Sequence, residues 1–291
     1  MLQKHSINSN LLMNNPETKF QQLLSWFQTE TKYATAFSGG VDSCLVVYAA
    51  RQAVGYENIT AVIADSPSLK RKDLQIAIDF CEQYNVQLEI IRTNEIENEH
   101  YVTNPVNRCF YCKTTLYETI SNEFLKSNPD IQMLNGSNLS DLGDYRPGLM
   151  AAENYKVLSP LAECKYKKED IRTVAHYLQL PTWDKPASPC LSSRFAYGEK
   201  ITVVKLQQIE QAEEILYQKG FEINRVRYLK DKTSIEVEPN KINLLRDNFI
   251  SIKRAFEKLG LHHIIIDEEG FKSGKLNSGI SNNSVSLGSK V

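Results

Sequence analysis

Tyr33-Ala-Thr-Ala-Phe-Ser-Gly-Gly-Val-Asp-Ser43 is the stretch on which the reading of this chain turns. Its first five residues are a short, bounded apolar run, the pattern of a buried strand. Two glycines follow, and Cys44-Leu-Val-Val-Tyr-Ala-Ala50 then reads as a helix. A strand that ends on glycines and passes straight into a helix turns successive backbone amides towards one point. The helix N-terminus adds its own unpaired amides and its dipole, which makes an anion site. Ser38 and Ser43 can add hydroxyl donors to a phosphate, and Asp42 can hold a metal or cap the helix. The competing reading is a tight turn with no ligand, since Gly and Ser are common turn formers. Position directly after a buried strand weighs against it.

Outward from this stretch, strands and helices alternate. A helix begins near Thr18, with Phe20, Leu23, Leu24 and Phe27 on one face. Strands are predicted at Ile59–Ala64, Val86–Ile91 and Ile131–Asn135, with helices over about 69–84 and 113–126. This alternation predicts an α/β fold, a doubly wound parallel sheet with helices on both faces and ligands at the carboxyl ends of its strands. The Pro-rich stretch 181–199 lacks periodicity and reads as a bridge between domains. Beyond it, helices over about 202–219 and 240–259 accompany short strands at Asn224–Leu229, Ser234–Glu238 and His263–Asp267, a small α+β unit. The expected organisation is therefore a polar segment 1–17, a nucleotide domain 18–199, a small domain 200–270, and a tail 271–291 whose Ser, Asn and Gly content predicts disorder.

The chain has 291 residues, enough for about two domains at roughly 150 each. Hydrophobic residues at 42% and charged residues at 24% exclude a collagenous, mucin-like or wholly disordered chain. Thirty-four Lys+Arg against 35 Asp+Glu leave a formal charge of -1, so no global field draws in nucleic acid or anionic membrane. No apolar run approaches the ~20 residues of a membrane span, and Met1–Asn10 lacks the apolar core of a secretory signal. A cytoplasmic location is the default expectation. There the six cysteines stay reduced, and a close pair reads as metal-binding or catalytic.

The common phosphate patterns Gly-x-x-x-x-Gly-Lys-Ser/Thr and Gly-x-Gly-x-x-Gly are absent. Ser38-Gly39-Gly40-Val41-Asp42-Ser43 instead resembles the pyrophosphate loop (PP-loop) of the N-type ATP pyrophosphatases. That resemblance implies an adenine nucleotide alpha-hydrolase-like fold and cleavage of ATP between its α- and β-phosphates. An acceptor oxygen is adenylylated and pyrophosphate leaves, with Mg2+ neutralising it. Further motifs narrow the resemblance: Asn135-Gly-Ser-Asn138, Asp141, Gly143-Asp-Tyr-Arg-Pro-Gly148, Ser159-Pro-Leu161, Trp183-Asp-Lys-Pro-Ala187 and Pro189-Cys-Leu-Ser-Ser-Arg194. Together they resemble the LarE family, over about residues 18–267. Its members are ATP-dependent sulfur transferases that help build the nickel-pincer nucleotide cofactor of lactate racemase. The resemblance implies that a carboxylate of a pyridinium dicarboxylate mononucleotide becomes an acyl adenylate, and that a sulfur nucleophile then displaces AMP to give a thiocarboxylate. It also implies homo-oligomers, hexamers built from trimers.

Cys190 lies between Pro189 and Leu191, with Arg194 four residues on, and a nearby guanidinium favours a thiolate. It matches the sulfur-bearing cysteine of the family. Cys109-Phe-Tyr-Cys112 can be a redox pair, half a zinc site or part of an iron–sulfur site. The family contains one-cysteine members that give up that sulfur, ending as dehydroalanine. It also contains three-cysteine members that resemble cluster-dependent enzymes, in which a [4Fe-4S] cluster leaves one iron open for a donor sulfide. Cys109, Cys112 and Cys190 match the second pattern; sacrificial use of Cys190 is the alternative. Cys44, Cys81 and Cys164 are read as structural. Asp42 and Cys190 are the expected catalytic residues, and Ser38–Ser43, Gly136 and Arg146 the expected nucleotide contacts. Lys185, Arg194, Glu213, Arg225 and Arg227 are the expected substrate contacts. Arg225 and Arg227 alternate on a strand and share a face, where they suit a phosphate, or else pair with Glu236 or Glu238. Two rival functions stay open: thiolation of tRNA by the same ATP chemistry, and a sensor that binds ATP without turnover.

Overall fold

The computed structural model describes residues 15–143, 147–272 and 275. The chain divides into two compact units, Met1–Cys190 and Leu191–Val291. Most of the tail and the first 14 residues lie outside the described residues, as does Arg146.

In the first unit, helix α1 (Pro16–Trp26) starts two residues before the predicted point. Asn15 explains the difference: its side chain accepts from the Glu17 amide at 2.9 Å, and Pro16 follows at the first helical position. Strand β1 (Tyr33–Ala36) is buried throughout and runs into helix α2 (Val41–Val54). This helix begins three residues ahead of Cys44, with Gly40 as its N-cap. Burial of Val41, Cys44, Leu45, Val46, Val47, Ala49 and Ala50 covers almost its whole circumference, which marks a helix sunk in a core. Strand β2 (Ile59–Ala64), helix α3 (Arg71–Gln83), strand β3 (Gln87–Ile91) and strand β4 (Gln132–Leu134) complete the sheet. Its order is β3-β2-β1-β4, all parallel, with Tyr33 opposite Ile59 on one side and Gln132 on the other. The α/β, doubly wound expectation holds. Chain connections leave β1 towards β2 on one side and reach β4 on the other, so the carboxyl end of β1 is the topological switch point where such sheets bind ligands.

A short helix α4 (Glu99–Val102) precedes α5 (Arg108–Thr119). The predicted helix over 113–126 is displaced: its regular part ends at Thr119, and a π-helical turn, Ile120–Phe124, replaces the remainder. Between β4 and residue 181 lie three helices without sequence-based expectation: α6 (Pro147–Asn154), α7 (Pro160–Glu163) and α8 (Lys168–Tyr177). Pro160 stands at the start of α7, where proline's missing N–H costs nothing.

The second unit opens with a 3-10 turn, Leu191–Arg194, inside the stretch expected to be loop. Helix α9 (Val203–Gln218) and helix α10 (Ile242–Lys258) accompany a sheet of β5 (Asn224–Leu229), β6 (Lys232–Val237) and β7 (Ile264–Ile266). The β5–β6 pair is antiparallel and the β6–β7 pair parallel. Leu206, Ile209, Leu216, Val226, Ile235, Leu245 and Phe256 are buried in this α+β unit.

Candidate active site

The loop after β1 owes its shape to two close approaches. Gly39 has φ +64°, and a Cβ there would lie 3.1 Å from the Ala77 Cβ and 3.3 Å from the Asp73 carbonyl oxygen of α3. Gly136, just after β4, faces the start of α2: its Cβ would come within 2.8 Å of the Ser43 amide nitrogen. Backbone therefore meets backbone at the switch point, and only glycine permits it. No side chain caps α2, and Gly40 has none to offer. The Ser43 hydroxyl donates to the Gly40 carbonyl at 3.1 Å, accepts from the Ser38 amide at 3.3 Å and lies 3.2 Å from the Ser38 hydroxyl. The loop is thus preformed, with the exposed Ser38 at its outer side.

Asp42, in the first turn of α2, does not stand alone. Its Oδ2 lies 2.9 Å from Lys168 Nζ, and its Oδ1 accepts from Asn138 Nδ2 at 3.3 Å. Asp141 Oδ2 in turn accepts from the Asn138 amide at 3.1 Å. Lys168 escaped the sequence reading, because 126 residues separate it from Asp42 and its own surroundings, Tyr166-Lys-Lys-Glu-Asp170, look like an ordinary helix start. Lys185 Nζ donates to the Gly39 carbonyl at 3.1 Å and pairs with Asp73 at 3.0 Å. An expected substrate contact is thereby drawn to the nucleotide loop. Among buried polar groups, Asn135 Nδ2 has no hydrogen-bond partner, although its Oδ1 accepts from Ser159 and from the Ser137 amide.

Cys109 and Cys112 lie in the first turns of α5, not in a loop before it. A spacing of three on a helix puts both thiols on one side. Both are reachable by solvent, yet the surrounding protein pushes both thiols up. Burial is the chief cause for each; the Cys190 charge raises both, Glu95 adds to the rise at Cys112, and Arg108 opposes it at Cys109. Lys113 is set among these thiols. Desolvation works against its charge, but Tyr117, Cys112, Cys109 and Cys190 outweigh it and hold the ammonium above its ordinary range. Gly148 of α6 gives Lys113 room, since a Cβ there would lie 3.1 Å from its Cγ. The Cys190 charge thus acts on both thiols of the pair. Among the described residues, however, no three His, Cys, Asp or Glu side chains are gathered closely enough to hold a metal ion. All six cysteines are thiols. Burial lifts Cys44 and Cys81 to about 12 and Cys164 to about 11, as expected of structural cysteines.

In the second unit, Arg194 is fully buried and forms a two-pronged pair with Glu213, at 2.8 and 3.0 Å. Arg227 does the same with Glu236, at 3.2 and 3.1 Å, and also donates to the Ser193 carbonyl. Arg225 donates to the Asn224 carbonyl at 2.7 Å and stacks over Phe271. Burial lowers its pKa to about 10, with the like charges of Arg194 and Arg227 contributing. Arg194 and Arg227 are thus each committed to a carboxylate, and Arg225 feels the charge of both.

Residues 21–107, which contain the nucleotide loop, match the NAD synthase family model. Over 260 residues the chain is 31% identical to the pyridinium-3,5-bisthiocarboxylic acid mononucleotide synthase of Lactiplantibacillus plantarum, covering 89% of this chain and 94% of that one. The chain belongs to the LarE family. It is an enzyme of the PP-loop class, a family that uses ATP. It is also 40% identical over 263 residues to an uncharacterised protein of Synechocystis, covering 90% of this chain and 97% of that one. An uncharacterised protein of Methanocaldococcus jannaschii is 31% identical over 267 residues, covering 90% of this chain and 96% of that one. Among the described residues of this LarE protein, no helix is long and apolar enough to cross a membrane.

Proposed function

We propose that this enzyme converts a carboxylate of a pyridinium dicarboxylate mononucleotide into a thiocarboxylate, for assembly of a nickel-pincer nucleotide. A carboxylate oxygen attacks the α-phosphorus of ATP, the bond to the β-phosphate oxygen breaks, and pyrophosphate leaves with that electron pair. A sulfur nucleophile then attacks the acyl carbon, and AMP departs with the electrons of the carbon–oxygen bond. The first step is needed because a carboxylate oxygen is not a viable leaving group at neutral pH. Ser38–Ser43 and Gly136 would hold the phosphates by backbone amides, and Asp42 with Ser43 offers oxygen ligands suited to Mg2+. Arg225, set among Arg194, Glu213 and Arg227, would be offered to an anionic substrate group. Lys185 would reach the polyphosphate from the Gly39 side. On this reading the protein works as a trimer or hexamer in the cytoplasm.

The observation that carries the reading is the preformed loop, where Gly136 meets the Ser43 amide, in a unit that also sets Cys109 and Cys112 on one side of α5. Three thiolates fit a [4Fe-4S] cluster with one iron left for another ligand. Cys109, Cys112 and Cys190 would hold it, and when bound it would supply the donor sulfide. Lys113 beside them offsets part of the negative charge. One observation favours sacrifice of Cys190 as a second reading: the thiols are not drawn together as a closed metal group among the described residues.

Replacing Cys190 by Ala should leave ATP-dependent pyrophosphate release intact and abolish thiocarboxylate formation. Sulfur incorporation at the wild-type rate in that variant would end the proposal. Iron and acid-labile sulfide assayed on anaerobically purified protein separate the two donors: cluster-level content supports the first, its absence with loss of one sulfur from Cys190 per turnover the second.

A further inference from the structure

We propose that Asp73 is a positioning residue that latches the Cys190-bearing segment to the nucleotide loop. This rests on the reading of Cys190 as the sulfur-bearing position and deepens it. Asp73 lies in the first turn of α3 and is 8% exposed. Its two carboxylate oxygens are divided between two partners. Oδ1 pairs with Lys185 Nζ at 3.0 Å, and Oδ2 accepts from the Ser188 hydroxyl at 2.6 Å. Lys185 donates onward to the Gly39 carbonyl at 3.1 Å. The same turn of α3 packs on Gly39 directly, through the Asp73 carbonyl oxygen. A single buried carboxylate therefore joins the loop that begins at Ser38 to a residue just two positions before Cys190.

The stretch from Trp183 to Cys190 belongs to no strand of the described residues and contains Pro186 and Pro189. Side chains help to fix it. Arg172 holds the carbonyls of Trp183 and Lys185, at 2.9 and 3.0 Å, and Asp73 holds Lys185 and Ser188. A carboxylate in the first turn of a helix also suits the helix dipole. That role alone needs neither burial nor two side-chain partners in one loop. Sulfur transfer requires the nucleophile to meet an acyl adenylate before water does, and a small displacement of a reacting group is costly to rate. The latch supplies that registration.

The test compares the full-length wild type with Ser188→Ala and Asp73→Asn under anaerobic conditions. Ser188 is exposed, so its hydroxyl can be removed without threatening the fold. One readout is the rate of alkylation of Cys190 by iodoacetamide, followed by peptide mass mapping of the protein alone. The other is thiocarboxylate formed per pyrophosphate released. Ser188→Ala should release pyrophosphate as the wild type does, alkylate faster at Cys190, and give a yield lower by about ten- to a hundredfold, as expected for a lost bond to a charged group. Ser188→Thr, which keeps the hydroxyl, should restore the yield. Asp73→Asn should show the same loss and also raise the KM for ATP, because Lys185 is released. An unchanged Cys190 alkylation rate in both variants, or an unchanged yield in Ser188→Ala, overturns the latch. If the wild type itself makes no thiocarboxylate, the functional reading fails, while alkylation still decides whether the latch exists.

Discussion

Gly136 shows how much a single hydrogen atom can decide. A methyl group in its place would overlap the Ser43 amide at 2.8 Å, and neither backbone is the end of a flexible side chain. Gly136→Ala should therefore shift the start of α2, lower stability by about 1–3 kcal/mol, the range for forced overpacking, and reduce pyrophosphate release at least tenfold. A variant with wild-type melting temperature and turnover would show that the approach is not needed. At this scale the sequence was legible where residues adjoin. Ser38 to Ser43 act through neighbours in the chain, so their pattern could be read directly. Lys168, Asp73 and Ser188 act through contacts more than 100 residues apart, and nothing in their local surroundings distinguishes them from solvated helix or loop positions.

At the scale of elements, α2 and the charged pairs of the second unit yield two expectations. Cys44 sits in the buried face of α2, where burial raises its thiol from 9.0 to about 12. The folded state keeps a proton that the unfolded chain gives up near 9.0, so the stability linked to this group is complete below that pH. It is lost as pH rises from there towards about 12. Melting temperature should fall over the lower part of this window, and Cys44→Ala should flatten the fall relative to its own neutral-pH value; parallel slopes would remove Cys44 as a cause. Glu213 tests the other case. Its loss would leave Arg194, itself fully buried, without its two-pronged partner, and would also strip the Val226 amide of an acceptor. Glu213→Ala should destabilise by about 3–5 kcal/mol. A denaturation midpoint unchanged from wild type would mean that the pair is not a structural requirement. Periodicity located the sheet strands well because buried runs such as Ile59–Ala64 are continuous and apolar. It missed α6, α7 and α8 because they are short and open on proline or on a polar turn.

For the whole molecule, balanced charge bears on the rival function. A tRNA-modifying enzyme holds its substrate largely through phosphate contacts, and affinity then falls steeply with salt. With a formal charge of -1, this chain should show no salt-steep binding to bulk tRNA in a filter titration. Tight binding that weakens with a slope of several phosphates would favour RNA as the acceptor. Composition could bound the class of partner but not name the acceptor; the Arg227–Glu236 pair is one of the outcomes the sequence leaves open, whereas the Arg194–Glu213 pair emerges only in the folded chain.

The contact between Lys168 and Asp42 bears on how nucleotide and ion arrive. Both side chains are partly open to water, 42% and 23%, so separating them costs about 0–1 kcal/mol. On the proposed reading, a polyphosphate would draw the ammonium away cheaply, and Asp42 would then want a counter-ion that the nucleotide's own divalent ion could supply. Metal and nucleotide would in that case bind synergistically, each poorly retained without the other.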